Sequence, residues 1–226
     1  MAEPKNRPIT VNSAKSDKVN NKPWGIIIAI AAAAIVVVAA ICAILFFANK
    51  SDNSGNSSDT SIENAEYTLT NGKGEKIPAK YASMKNAKYQ VLVPANFDLY
   101  DSAKLEAEFN NSDSTEMAYT NSGNSVNILF SKLDSEAEMS NDDVDSYLEI
   151  LKNSYSQLDK NIKTKSRTVG DHNIGELEFT TEGVYNHIVF FSYENKLALI
   201  LFNCEDNLTD EWKQIGNEII NSLKFE

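Results

Sequence analysis

Gly25 to Ala48 is a run of 24 residues without one charged side chain, and no other feature restricts the possible architectures as strongly. As an α-helix it is about 36 Å long at 1.5 Å per residue, against a hydrocarbon layer of ~30 Å, so it crosses with some tilt. A removable export signal has an apolar core of only about 7–15 residues and then a small-x-small site. Here the Ala-x-Ala triplets Ala29–Ala31 and Ala32–Ala34 lie mid-run, and bulky Leu45, Phe46 and Phe47 close it. A lipidation signal fails as well, because Ile41 precedes Cys42 where a small residue is needed. The run reads as an uncleaved span over residues 24–48, from Trp24 and Gly25 to Phe46, Phe47 and Ala48. Cys42 is then an ordinary small apolar residue, with palmitoylation the lesser alternative.

Direction comes from the flanks. Lys5, Arg7, Lys15, Lys18 and Lys22 precede the run, whereas Lys50 alone follows it before Lys73. Cations stay inside, so Lys15, Lys18 and Lys22 fix a cytoplasmic N-terminus and an exported C-terminal part. Localisation is expected in the plasma membrane as a single-pass protein of a bacterial cell envelope, with the lipid bilayer as partner of residues 24–48. Residues 1–23 hold Pro4, Pro8 and Pro23 and show no periodicity, as a disordered tail would. Of 21 basic and 32 acidic side chains, five and two fall in this tail. The exported part is therefore strongly acidic and repels nucleic acid, which is excluded as a partner. Cys42 lies within the run and Cys204 near the C-terminus, so they form no disulfide framework.

Residues 49–66 are rich in Ser, Asn and Asp and read as a flexible tether. Asp52, Ser54, Asn56 and Glu63 fall on calcium-loop positions, but Ser57 stands where glycine is required. From residue 67 to 226 the period becomes that of a folded domain. Tyr89–Pro94 and Ser125–Leu133 alternate as strands. Gly175–Thr180 places Leu177 and Phe179 inward and Glu176 and Glu178 outward. Val184–Tyr193 and Lys196–Cys204 are apolar on both faces, as strands covered on both sides are, and Glu194-Asn195 suits a tight hairpin. Ser140–Lys160 carries a helical stripe of Val144, Tyr147, Leu148, Leu151, Tyr155 and Leu158, with Ser140 as N-cap. Leu208–Phe225 carries Trp212, Ile215, Ile219 and Leu223, with Thr209 as cap. The fold class expected is α+β, a mainly antiparallel sheet covered by helices.

The order of elements from Lys88 to Phe225 resembles the PsbP-like superfamily. A first strand runs into "VPANF" (Val93–Phe97), then come "SVNILFSKL", an amphipathic helix, "TVGDHNIGELEFT" (Thr168–Thr180), a hairpin, and a helix ending "IINSLKF" (Ile219–Phe225). Phe97 departs from the tryptophan usual there. The resemblance implies an α/β/α layered domain. It also implies a binding or assembly role, since members of the fold act mainly in that way.

The residues suited to chemistry are sparse. His172 lies in the turn-forming "GDHNIG" and His187 alternates with Tyr185, Val189 and Phe191 on a strand. Cys204 shares a strand face with Ala198, Ile200 and Phe202, as a small buried hydrophobe. Asp142, Asp143 and Asp145 suit a helix N-terminus. No metal-ligand spacing, phosphate loop or nucleophile elbow occurs, so no cofactor, metal or catalytic residue is expected. The leading expectation is a non-catalytic, membrane-anchored extracytoplasmic binding or accessory module that engages a protein or cell-envelope partner. The alternative is an exported hydrolase using His172 or His187 with a nearby carboxylate.

Overall fold

The computed structural model describes residues 65–109, 115–133 and 138–226. The span at residues 24–48, Lys15, Lys18 and Lys22, and the tether up to residue 64 lie outside them. In chain order the elements are β1 (Tyr67–Thr70), β2 (Lys76–Ala82), β3 (Tyr89–Pro94), β4 (Asp98–Leu99), α1 (Ser102–Phe109), β5 (Thr115–Thr120), β6 (Val126–Leu133), α2 (Val144–Tyr155), β7 (Lys163–Val169), β8 (His172–Thr181), β9 (Val184–Tyr193), β10 (Lys196–Glu205), α3 (Thr209–Asn221) and β11 (Lys224–Phe225).

These strands form two antiparallel sheets. One has seven strands in the order β4-β5-β6-β10-β9-β8-β7, and the other has four, β1-β2-β3-β11. The α+β class holds, with the difference that Tyr89–Pro94 belongs to a second, smaller sheet. Its alternation reports burial of one face but carries no information on which neighbour it pairs with. The doubly apolar strands β9 and β10 lie in the interior of the large sheet, as their composition requires. Glu194 and Asn195 join them with φ of 53° and 61°, the two left-handed residues of a type I′ turn, which matches the twist of the strands. Glu182 and Gly183 repeat the device between β8 and β9 with φ of 51° and 80°.

Each face of the large sheet has its own core. Leu177, Phe179, Ile188, Phe190, Leu199 and Leu201 pack against Val144, Tyr147, Leu148, Leu151 and Tyr155 of α2. Ile128, Phe130, Val189, Phe191, Ile200, Phe202 and Cys204 pack with Ile215, Ile219 and Ile220 of α3 and with Val91 and Val93 of the small sheet. Each such side chain contributes about 1.5–3 kcal/mol when fully buried. The helix α3 is cut to fit: a Cβ on Gly216 would stand 2.4 Å from the Phe202 ring. On the opposite face a Cβ on Gly175 would stand 2.2 Å from the Phe190 ring. Phe97 fills its position by packing against Trp212 with ring centroids 5.6 Å apart.

Ser140 caps the start as expected, through the turn that leads into α2, and the other helix ends differ from expectation. A short 3₁₀ turn, Asn141–Asp143, precedes α2, and Asp143 Oδ2 accepts from Ser140 N at 2.8 Å and Ser140 Oγ at 2.6 Å. The helix stops at Tyr155, so Leu158 is not part of its stripe and is 56% exposed. Thr209 is the first residue of α3 rather than its cap, because a 3₁₀ turn over Asp206–Leu208 leads directly into the helix.

Candidate functional site

The residues with chemical potential gather on one side of the large sheet, where β7, β8 and β9 pass beneath α3. In the registers of these strands Glu178 lies opposite Lys163 and His187, and Glu176 lies opposite Lys165. Side chains opposite one another share a face. That face therefore carries Lys163, Lys165 and Arg167 from β7, Glu176 and Glu178 from β8, and Tyr185 and His187 from β9. The helix α3 runs over this strip, with Lys213 reaching Glu178 at 2.8 Å and the Ile220 carbonyl accepting from Arg167 Nη2 at 3.0 Å.

Glu176 is 7% exposed, which corrects its expected outward position. Alternation on β8 is real, but the charged side is roofed by α3, and the burial of Glu176 is supported by an ion pair with Arg167 Nε. Burial works to raise the Glu176 carboxyl, and the neighbouring His187, the Arg167 guanidinium and Lys165 together outweigh it, leaving the pKa at about 2. His187 is 4% exposed. Its Nε2 stands 3.9 Å from Glu176 Oε2, beyond hydrogen-bond reach, and neither ring nitrogen has a hydrogen-bond partner among the described residues. Next along the strip, Tyr185 Oη donates to Glu178 Oε2 at 3.1 Å, and Lys213 Nζ lies 4.7 Å from the Tyr185 ring centroid. Burial opposes ionisation of Glu178, and Lys213 and Tyr185 reverse the balance to hold its carboxyl below the usual range.

At the end of the strip a cleft of about 260 Å³ opens to solvent, lined by Asp159, Asn161, Lys163, Glu178, Phe179, Thr180, Tyr185, Thr209 and Lys213. It exists because β7 begins only at Lys163, so β8 continues past its partner. There Thr180 N donates to Asp159 Oδ2 at 2.8 Å. His187 does not line the cleft.

The other sequence candidates go elsewhere. His172 stacks on Phe225 with ring centroids 3.8 Å apart and planes at 14°. The two histidines are thus packed in separate places, and among the described residues the carboxylates beside His187, Glu176 and Glu178, are already engaged by Arg167 and by Lys213 and Tyr185. Cys204 is buried, and loss of solvent pushes its thiol up to about 12, which makes it a poor nucleophile at neutral pH. Asp143 is turned back onto Ser140. Among the described residues no group of three or more His, Cys, Asp or Glu side chains converges to hold a metal.

Two features were not drawn from the sequence. One is the strip itself, whose signal was the basic stretch "KNIKTKSR" (Lys160–Arg167) in an acidic chain. The other is a row of buried polar side chains, Thr120, Asn127, Asn203 and Asn186, in register across β5, β6, β10 and β9. Asn127 Nδ2 donates to Asn203 Oδ1 at 3.1 Å, and Asn127 Oδ1 and Asn203 Nδ2 have no hydrogen-bond partner among the described residues.

No family model and no curated protein matches the chain. Among solved structures it is similar to cyanobacterial PsbP (CyanoP) from Synechocystis sp. PCC 6803, at 12% identity and a TM-score of 0.44 over 76% of this chain and 98% of that one. It is also similar to LpqN of Mycobacterium tuberculosis, described as involved in cell envelope biogenesis, at 13% identity and 0.39 over 66% and 90%. A third is PA94 of Pseudomonas aeruginosa, a protein of unknown function described as a putative regulator, at 11% and 0.34 over 64% and 94%. These are likenesses of outline and carry no argument about activity.

Proposed function

We propose that the chain is a single-pass membrane protein with a cytoplasmic N-terminus, and that its C-terminal domain is a non-catalytic binding or accessory module outside the membrane. Its partner is a protein or a component of the cell envelope. The uncharged run of 24 residues with its basic N-terminal flank supports the anchoring and direction. One observation in the domain carries the choice of binding over hydrolysis. His187, the histidine with carboxylates beside it among the described residues, is sealed beneath α3, with Glu176 held by Arg167 and Glu178 by Lys213 and Tyr185. The neighbouring open surface, the cleft and the outer edge of β7, offers charges, hydroxyls and backbone groups to a partner.

Two measurements test this. Alkaline phosphatase fused after Glu226 should be active outside the cell, and the same fusion after Lys22 should be inactive; the opposite result refutes the topology. Photocrosslinkers placed at exposed positions of the domain in intact cells should capture a discrete partner. Recovery of nothing above background from every position would refute the module.

A further inference from the structure

Among the described residues β7 is an outer strand of the large sheet, with β8 as its one neighbour there. Its seven residues pair with β8 in unbroken register, from Lys163 opposite Glu178 to Val169 opposite His172. Thr180 N points past the end of β7 to Asp159, and this sets the phase of β8. Glu178, Glu176 and Ile174 aim their backbone groups at β7, and Lys163, Lys165 and Arg167 answer them. The N–H and C=O groups of Thr164, Ser166 and Thr168 therefore face away from the sheet. The strand has no proline and no bulge to prevent a further strand from pairing along it.

Side chains decide which strand that is. Lys163 and Lys165 are exposed and alternate with Thr164 and Ser166, while Arg167 is held by Glu176. With Lys160 they make four cations and no anion between Lys160 and Arg167, in a chain of net charge −11. A second copy of β7 laid alongside would bring like charges together, the usual protective use of lysine on an edge. A strand with carboxylates at alternate positions meets opposite charges instead.

We propose that β7 is the docking strand for an extended acidic peptide segment of a partner protein, which adds to the sheet edge with its carboxylates over Lys163 and Lys165. This rests on the binding-module reading and supplies the chemistry of the partner. Backbone pairing gives the affinity, and the alternating charges give the register and the specificity. The cleft beside Lys163 receives the flank of the segment.

The test uses the purified full-length protein and a peptide of the length of β7 that alternates glutamate with threonine. Its controls are the same peptide methylated on alternate backbone nitrogens, and inorganic polyphosphate. The peptide should bind saturably and slow hydrogen exchange across Lys163–Val169, and the methylated peptide and polyphosphate should not. Lys163→Glu with Lys165→Glu should weaken binding about tenfold or more, because two attractive cross-strand pairs become repulsive. Because the new glutamates would face Glu178 and Glu176 on β8, Lys163→Gln with Lys165→Gln is the fold control: it should weaken binding as well, with the thermal midpoint held within a few degrees. Absence of binding, equal binding of the methylated peptide or polyphosphate, or unchanged affinity in the double variant overturns the proposal. A cellular partner crosslinked only through surfaces other than β7 also overturns it, while leaving the binding-module reading intact.

Discussion

Replacing Arg167 with glutamine is expected to reverse the way acid acts on the domain through Glu176. In the native protein the Glu176 carboxyl sits at about 2 against an ordinary value of 4.5. A folded pKa below the unfolded one stabilises the fold fully above the unfolded value and loses that contribution as pH falls toward the folded value. The contribution near neutrality is on the order of 3 kcal/mol, for a side chain that is only 8% exposed. In Arg167→Gln the guanidinium is gone and burial acts on the carboxyl against His187 and Lys165 alone, raising its pKa. Ionised at about pH 7 it is a buried charge without its partner, a cost of about 3–5 kcal/mol. As pH falls the carboxyl takes up a proton and that cost disappears. What remains is about 1 kcal/mol for the lost hydrogen bond to the Ile220 carbonyl. Urea denaturation of the full-length protein and the variant at several pH values reads the difference directly. It should be largest near neutrality and narrow steadily as pH falls from about 6 toward 2.5. In a Glu176→Gln background Arg167→Gln should cost far less and show little pH dependence. A difference that stays flat with pH, or that is below about 1 kcal/mol at neutrality, would refute the reasoning.

Three further outcomes are expected. Gly216→Ala should destabilise by about 1–3 kcal/mol even though alanine is the better helix former by about 1 kcal/mol, because the added Cβ meets the Phe202 ring at 2.4 Å; thermal denaturation checks the sign, and Phe202→Leu should relieve the clash. Asn203→Leu should cost about 1–3 kcal/mol by stranding the buried Asn127 amide, whereas Asn127→Leu with Asn203→Leu should lie close to the native stability; a double variant worse than the sum of the singles argues against the pairing. Cys204 should react with a thiol reagent only on unfolding, because burial raises its pKa to about 12; rapid native-state labelling would contradict the packing of β10 against α3.

The local rules were legible wherever one element carries its own instruction. β9 and β10 announce their interior place through apolar residues on both faces, and Glu194-Asn195 announces the turn between them. The stripes of α2 and α3 identify the side each helix buries, since a 3.6-residue period leaves no other solution. The end of α2 was misjudged because Leu158 continues the period after the backbone has left the helix. Neither β1 nor β2 stood out, because Tyr67–Thr70 and Lys76–Ala82 are short, polar at alternate positions and stabilised mainly by their pairing.

The candidate site was hardest to read, for a related reason. His187 and its strand were identified, but Glu176 looked solvent-facing because a carboxylate alternating with Leu177 usually is. Its burial depends on α3, which begins 33 residues later in the chain, and on Arg167 arriving from β7. By itself the sequence determined that β9 and β10 are interior strands, which side of α2 and α3 is apolar, and where the hairpin between β9 and β10 turns. Only the tertiary structure decided that the strands divide into two sheets, that β7 is left as an edge, and that the charged face of β8 lies under a helix. Periodicity reports what a residue tolerates around it, while burial and charge state depend on what the rest of the chain places there.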